Sequence, residues 1–184
     1  LGGNTGLGID PGTDPSRLEP GVANQVELIA DFFDPAMITR TPDLLACKMT
    51  LEHIPDPLTF TKDMADGVSG KGTRLFLQVP DALRIFEDVA LEDIYYEHCN
   101  YFTADSLARL ARRAGFAVTT VETTYGGQYL TLEGLPQGTD GAAADEDALS
   151  LATFLATIDS FETRANAFAA EWRGKADAWA AAGT

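Results

Sequence analysis

Four apolar runs, each followed closely by an acidic residue, constrain the fold of this chain most strongly. The runs are GLGIDPG (Gly6 to Gly12), VELIADFFD (Val26 to Asp34), LLACKMTLEHI (Leu44 to Ile54) and TRLFLQVPD (Thr73 to Asp81). A short apolar run that stops at an acid or a Pro-Gly turn is typical of a buried parallel strand. Helical spacing over Leu58 to Val68 predicts a strand–helix–strand crossover between the last two runs. Such units build a doubly wound sheet, so we predict an α/β, Rossmann-like fold with a mostly parallel sheet.

The second half of the chain predicts a helix, a β-hairpin and a long C-terminal helix. Thr103 can cap a helix that ends at Gly115. The runs AVTTVETTY and QYLTLEGLP, joined at Gly126-Gly127, predict an antiparallel hairpin at the edge of the sheet. Residues 138–147 have a linker composition, and the Ala-rich residues 148–182 predict one helix, or two interrupted at Gly174. We therefore expect one domain over residues 1–137, then a linker and helix over 138–184 that lead to a further C-terminal domain outside this chain.

Charge and cysteine usage disfavour several classes of protein. Acidic residues outnumber basic ones 28 to 13, and a surface of that sign repels phosphate backbones, so we expect no nucleic-acid partner. Cys47 and Cys99 form no disulfide framework and no metal-ligand spacing, which indicates a reducing cytoplasm and no metal site. No apolar run reaches the roughly 18 residues of a spanning helix, so no membrane association is expected. The oligomeric state is left open.

Polar side chains at the strand ends are the candidate ligand-binding residues, because open α/β sheets bind ligands outside the carboxyl ends of their strands. Asp10 is the best candidate for accepting two hydrogen bonds from a ribose diol. Asp31 and Phe32 would place a carboxylate and a ring near an adenine. Glu52 and His53 end the third run. The alternatives are that Asp10 only caps the next helix or starts the Asp-Pro-Gly turn, and that Asp31 is a turn acid beside a core Phe32. His53 could likewise only cap the next helix.

The segment IYYEHCNYFT, Ile94 to Thr103, carries the candidate acid/base chemistry. Its histidine, His98, has four neighbours of suitable type in the sequence: Tyr95, Tyr96, Glu97 and Tyr101. An imidazole held by a carboxylate or a phenol can transfer protons near neutral pH. The alternative is a buried polar cluster without catalytic function. Because the only other histidine, His53, also falls at a strand end, we favour a proton-transfer site.

With these motifs, the sequence resembles class I S-adenosylmethionine-dependent methyltransferases, and more closely the sugar C-methyltransferases of deoxysugar pathways. The resemblance depends on GIDPG, LEHIPDP (Leu51 to Pro57), QVPD, IYYEHCNYFT and YGGQYL (Tyr125 to Leu130). LEHIPDP recurs widely among methyltransferases, whereas the YxEH-x-x-YF block followed by GGQYL is more specific. The resemblance covers nearly the whole chain. It also implies that the family's first strand and Gly-rich loop precede Leu1, so we expect this chain to bind the cofactor weakly.

The resemblance implies S-adenosylmethionine as cofactor and, as substrate, a nucleotide-linked deoxysugar or similar small metabolite. His98 matches the family's general base, which removes a proton α to a ketone so that the enolate carbon attacks the sulfonium methyl. Tyr95 and Glu97 would orient that imidazole and stabilise the enolate, and His53 matches a second active-site histidine. The implied cofactor contacts are Asp10, Asp31, Phe32, Leu51 and Glu52.

Two rival functions stay open at this level. In an O- or N-methyltransferase acting on a small metabolite, His98 would take its proton from a hydroxyl or an amine. A non-catalytic methyltransferase-like module would bind or assemble through the Ala-rich helix. Hydride-transfer and phosphoryl-transfer enzymes are disfavoured, because no GxGxxG follows a strand and no GxxxxGK[ST] loop is present.

Overall fold

The computed structural model describes residues 3–70, 72–137 and 151–183, with only the helical backbone for residues 151–153. The chain forms two compact units, Leu1–Arg40 and Thr41–Thr184, which are described separately. The predicted linker over residues 138–147 lies outside the described residues, so the predicted division of the chain at residue 137 stays a prediction.

The first unit contains a two-stranded parallel sheet. Strand β1 (Gly6–Ile9) pairs with β2 (Val26–Ile29), with Gly6 opposite Val26 and Ile9 opposite Ile29. Both strands were predicted; β1 ends directly before Asp10, and β2 ends at Ile29, one residue before the end of its apolar run at Ala30. Because parallel strands in register end at the same edge, the residues that follow them, including Asp10, share that edge.

The second unit contains a four-stranded mixed sheet. Its strands are β3 (Leu44–Lys48), β4 (Arg74–Pro80), β5 (Phe116–Thr124) and β6 (Tyr129–Pro136), and their order across the sheet is β3-β4-β6-β5. Strands β3 and β4 are parallel and are joined through helix α1 (Pro57–Val68), as predicted. The hairpin β5–β6 is antiparallel and pairs with β4 through β6. This confirms the α/β fold and the antiparallel hairpin at its edge.

The core of this unit lies between the sheet and the helices α1 and α3 (Ala104–Arg113). Along β4 the side chains alternate, so that Leu75, Leu77 and Val79 are buried on one face. The other large buried contributors are Met64, Val68, Leu107, Phe116, Leu130 and Leu132. Burial of each such side chain stabilises the fold by about 1.5–3 kcal/mol relative to exposure. This core fixes the strand ends at which the candidate site lies.

The helix ends follow the capping residues in the sequence. Asp56 accepts a hydrogen bond from the Thr59 amide, which starts α1 at Pro57. Thr103 and Ser106 form a capping box that starts α3. Gly115, with a φ of +103°, follows its last turn. The predicted start and end of α3 are therefore confirmed.

Two helices of the second unit pack against each other. Helix α2 (Ala82–Asp88) was not predicted, and α4 (Leu151–Ala182) is one helix that continues through Gly174. Phe86 of α2 contacts the rings of Phe154 and Phe161 in α4. Arg164 of α4 donates hydrogen bonds to the last carbonyl groups of α2. None of the helices in the described part of the chain is long and apolar enough to span a membrane.

Candidate active site

A tight turn after β3 positions the first part of the site. Met49 has a φ of +51°, and its amide donates to the carbonyl of Gln78 in β4. A 3₁₀ turn, Leu51–His53, follows directly. Leu51 is completely buried and Glu52 is 1% exposed, whereas His53 faces solvent. The turn therefore places Glu52 inside the fold and leaves the next side chain at the surface.

The aromatic segment, residues 94–103 and hereafter the YYEH loop, is fastened to this turn by main-chain hydrogen bonds. The amides of Cys99 and Asn100 both donate to the carbonyl of Glu52, at 3.0 and 3.1 Å. The Asn100 side-chain amide donates to the Ile54 carbonyl at 2.6 Å. Because these bonds bridge segments more than 40 residues apart, they hold the loop over the end of β3.

The segment just before the YYEH loop is held by a buried acid, Asp93, which is 5% exposed. Asp93 pairs with Arg84 of α2 and accepts a hydrogen bond from Nε2 of Gln128 at 3.0 Å. The carbonyl of Gln128 also accepts from the Asp81 amide. Helix α2 and the hairpin therefore fix the loop from its other side. Sequence reasoning missed these anchors, although Gln128 lies inside the quoted YGGQYL motif and Asn100 inside the YYEH block.

His98 is the centre of a cluster of rings. Its centroid lies 4.8 Å from that of His53, 5.0 Å from that of Tyr95 and 6.1 Å from that of Tyr101. His98 itself is half-buried, so its imidazole is partly shielded and still open to a ligand. The structure thus brings together three of the predicted catalytic residues, His98, His53 and Tyr95. Their individual roles stay predictions.

Glu52 is the acid that lies beside the two imidazoles. Its Oε1 is 3.9 Å from Nε2 of His53, and both carboxylate oxygens are buried without a hydrogen-bond partner in the described structure. Burial raises the pKa of Glu52, while the charges of His53 and His98 act in the opposite direction. Leu51 and Glu52 were predicted as cofactor contacts, and neither side chain is exposed. The position of Glu52 indicates an electrostatic influence on the histidines.

Glu97 contacts the site through its main chain. Its carbonyl oxygen lies 3.3 Å from Nδ1 of His53. Because a carbonyl oxygen only accepts, Nδ1 carries the proton and Nε2 holds the lone pair of the neutral ring. The Glu97 carboxylate accepts a hydrogen bond from Tyr96, which raises the pKa of that phenol. The predicted action of Glu97 on His98 stays a prediction.

In the first unit, Asp10 and Asp31 follow the two parallel strands. Oδ1 of Asp10 accepts from the Gly12 amide at 2.6 Å, and Oδ1 of Asp31 accepts from the Phe32 amide at 2.7 Å. Both acids are exposed, and the Phe32 ring is 75% exposed. Asp10 therefore closes a turn, Asp31 contacts the amide that directly follows it, and Phe32 is not a core residue. Two accessible carboxylates and an accessible ring are a donor set that fits a ribose and a flat base.

The sequence profile described as "Methyltransferase domain" matches residues 5–121, more than half of the chain. The chain belongs to the methyltransferase-domain family. This confirms the prediction of an S-adenosylmethionine-dependent methyltransferase and of its cofactor. No curated protein matches the sequence.

Several solved structures share the fold. One is the complex between the Haloferax volcanii Trm112 methyltransferase activator and a methyltransferase, with a TM-score of 0.53 and 11% identity over 73% of each chain. Another is the 16S rRNA (adenine(1408)-N(1))-methyltransferase W203A mutant from Catenulisporales acidiphilia, with a TM-score of 0.52 and 14% identity over 73% of this chain and 74% of the other. A third is the S-adenosylmethionine-dependent methyltransferase SibL, with a TM-score of 0.50 and 17% identity over 73% of this chain and 51% of the other. Identities this low show a common fold and do not identify a substrate.

Proposed function

We propose that this methyltransferase is a C-methyltransferase that modifies the carbon α to a ketone in a small metabolite, with a nucleotide-linked deoxysugar as the favoured substrate class. The observation that carries the proposal is the ring cluster, in which the half-buried His98 contacts both His53 and Tyr95. Methyl transfer to an already nucleophilic atom needs little beyond positioning. A cluster of potential proton-transfer groups supports a reaction in which a proton must first be removed from the substrate to form the nucleophile.

His98 is the proposed general base, and Tyr95 the proposed hydrogen-bond donor to the enolate oxygen. The α-proton of a ketone is weakly acidic, so a base requires a partner that stabilises the developing oxyanion. Nδ1–H of His53 is directed at the Glu97 carbonyl, which leaves a neutral His53 without a free proton to donate. The phenol of Tyr95, half-exposed beside His98, is the better candidate.

Asp10, Asp31 and Phe32 are the residues proposed to hold the nucleoside part of the cofactor. The two carboxylates would accept hydrogen bonds from the ribose hydroxyl groups and the adenine amino group. The exposed ring of Phe32 would cover the base. When bound, S-adenosylmethionine supplies an electrophilic methyl group on a sulfonium, for which the enolate carbon is the nucleophile. Both cysteines are free thiols, which supports a cytoplasmic location.

The test measures proton abstraction apart from methyl transfer. In D₂O with S-adenosylhomocysteine, NMR follows loss of the α-proton signal of a nucleotide-linked keto-deoxysugar. We expect His98→Asn to slow this exchange by about 10²-fold or more. Calorimetry should give unchanged affinity for S-adenosylhomocysteine. Cys99→Ser, a change in the neighbouring exposed side chain, is the matched control and should exchange at the wild-type rate.

Product analysis then separates this proposal from its rivals. With S-adenosylmethionine present, the proposal requires a new carbon-bound methyl group in the NMR spectrum of the product. A methyl group on oxygen or nitrogen would contradict the proposal and support the O- or N-methyltransferase alternative. If His98→Asn exchanged the α-proton as fast as the wild type, His98 would not be the base. If the wild type showed neither α-proton exchange nor methyl transfer, the result would favour a non-catalytic module.

A further inference from the structure

Three side chains of the second unit form a cluster with the chemistry of a metal site. Donor atoms of Glu52, His53 and His98 all lie within 4.8 Å of one another. The first two residues come from the turn after β3, and the third comes from the YYEH loop. The spacing in sequence gave no sign of this, because 45 positions separate the two histidines.

The state of the Glu52 carboxylate independently indicates a missing ligand. Glu52 is 1% exposed, and neither of its buried oxygens has a hydrogen-bond partner in the described structure. Burial of an unpartnered polar group is unfavourable, and burial of an unpartnered charged group is more so. Its Oε1 lies 3.9 Å from Nε2 of His53, so the carboxylate is directed into the cluster. A bound cation would satisfy both oxygens, for which the described residues supply no hydrogen-bond donor.

The orientation of His53 fits ligation through Nε2. Its Nδ1 lies 3.3 Å from the Glu97 carbonyl, which leaves the lone pair on Nε2, the nitrogen nearer Glu52. Metal-binding histidines commonly have their second nitrogen held by a carbonyl or carboxylate in this way. The Glu97 main chain therefore already provides the support that such a ligand needs.

We propose that Glu52, His53 and His98 bind a divalent ion of the Zn²⁺ type and leave a coordination position open to solvent. Two imidazoles and one carboxylate are a ligand set that zinc uses in sites with an open position, whereas magnesium and calcium prefer oxygen ligands alone. With metal–ligand bonds of about 2.0–2.2 Å, donor atoms must approach to roughly 3–4 Å of each other. The exposed His53 and half-buried His98 can make that movement of about an ångström, while Glu52 stays fixed.

Occupancy of this site has a consequence for catalysis, and that consequence rests on the proposed function. A nitrogen lone pair that ligates the metal is not available to take a proton. If His98 binds the ion through the nitrogen that it uses as a base, Zn²⁺ stops α-proton exchange. The metal site itself does not depend on that activity.

Calorimetric titration of ZnCl₂ into the metal-free full chain tests the site directly. We expect one equivalent to bind, and we expect each of His53→Asn, His98→Asn and Glu52→Gln to weaken binding at least about 10-fold. The matched control, Cys99→Ser, changes a neighbouring exposed side chain and should retain the wild-type affinity. No binding, or wild-type affinity in His98→Asn, would overturn the proposal, as would loss of binding in Cys99→Ser.

Histidine NMR supplies a readout that does not depend on any variant. The chain has only two histidines, so both imidazoles can be observed together. Addition of one equivalent of Zn²⁺ should shift both sets of ring signals, and a shift in only one set would contradict the site. In the D₂O exchange assay, Zn²⁺ that binds without slowing wild-type exchange would contradict ligation through the nitrogen that acts as the base, and the metal site itself would remain supported.

Discussion

Asp81 starts helix α2 from a buried position. It is 7% exposed, and its Oδ1 accepts a hydrogen bond from the Leu83 amide at 2.9 Å. Burial raises the pKa of this carboxyl, although the backbone hydrogen bonds and Arg84 act in the opposite direction. The ionised form therefore caps the helix and also carries a desolvation cost.

We predict that Asp81→Asn stabilises the protein at neutral pH and does so less at low pH. A carboxyl with a raised folded pKa contributes stability that is fully present below its unfolded pKa and is lost as pH rises through the folded pKa. Asparagine retains an accepting oxygen for the cap and carries no charge. The free energy of unfolding, measured with urea from pH 4 to pH 7, should show an advantage of the variant that grows to about 1 kcal/mol.

Asp81→Ala is the control for the cap, because it removes charge and acceptor together. Its free energy of unfolding should be about 1 kcal/mol lower than that of Asp81→Asn at every pH. An advantage of Asp81→Asn that stays constant with pH, or that shrinks as pH rises, would contradict the direction of the pKa shift.

Single residues at the strand ends were predictable, whereas their burial and long-range contacts were not. His53 and His98 stood out as the only two histidines, one at the end of an apolar run and the other in the YYEH loop. No local pattern in the sequence predicted that the Glu52 side chain would be buried next to Leu51. The bond from Gln128 to Asp93 crosses 35 positions, and no local pattern encodes such a contact.

Two glycines in regular elements should respond in opposite ways to the addition of a methyl group. Gly134 is buried in β6, and a Cβ there would lie 2.9 Å from the Ala117 carbonyl oxygen, beside a bulge in β5. Gly174 is in α4, and a Cβ there would meet nothing within 4 Å. The space available to an added methyl group therefore decides the effect at each position.

We predict that Gly134→Ala destabilises the protein by about 1–3 kcal/mol, because backbone must move to accept the methyl group. Gly174→Ala should stabilise α4 by about 0.5–1 kcal/mol, since alanine restricts the unfolded chain and favours a helix. Urea unfolding measures the first change, and the helical circular-dichroism signal during heating follows the second. A neutral Gly134→Ala would show that β5 can shift at its bulge, and a destabilising Gly174→Ala would contradict an open helix face.

At the level of elements, strong periodic signals were reliable and short or weak ones were not. The β3–α1–β4 crossover and the β5–β6 hairpin combine apolar runs with turn residues, and both are confirmed. Helix α2 has only seven residues, fewer than two turns of periodicity, and was missed. The cost of Gly174, about 1 kcal/mol, is too small to interrupt a helix of 32 residues.

For the whole molecule, the family follows from the order of motifs, while the substrate does not. The strand ends carry GIDPG and LEHIPDP in the order that the resemblance requires, and the family profile spans both. In the proposed site, substrate choice would depend on shape and polar groups around His98, to which Tyr95 and Tyr101 contribute exposed rings. An exposed ring accepts many partners, so the sequence alone does not select among them.

The two compact units should also differ in local stability. The β1–β2 sheet has only two strands, and the described residues of its unit are half-buried or exposed. In the second unit, β4 has a hydrogen-bonded neighbour on each side and several completely buried side chains. Two-stranded sheets without a deep core are marginally stable, and amides exchange through the least costly opening available to them.

We predict that amides of β1 and β2 exchange with deuterium at least about 10²-fold faster than those of β4 and β6. Hydrogen exchange followed by NMR gives each strand its own rate. Because Asp10 and Asp31 lie within two residues of the ends of β1 and β2, saturating S-adenosylhomocysteine should slow exchange in those two strands more than in β4. Equal protection of both sheets without ligand would contradict the separate stabilities. Unchanged exchange in β1 and β2 at saturation would instead contradict the assignment of the cofactor to these aspartates.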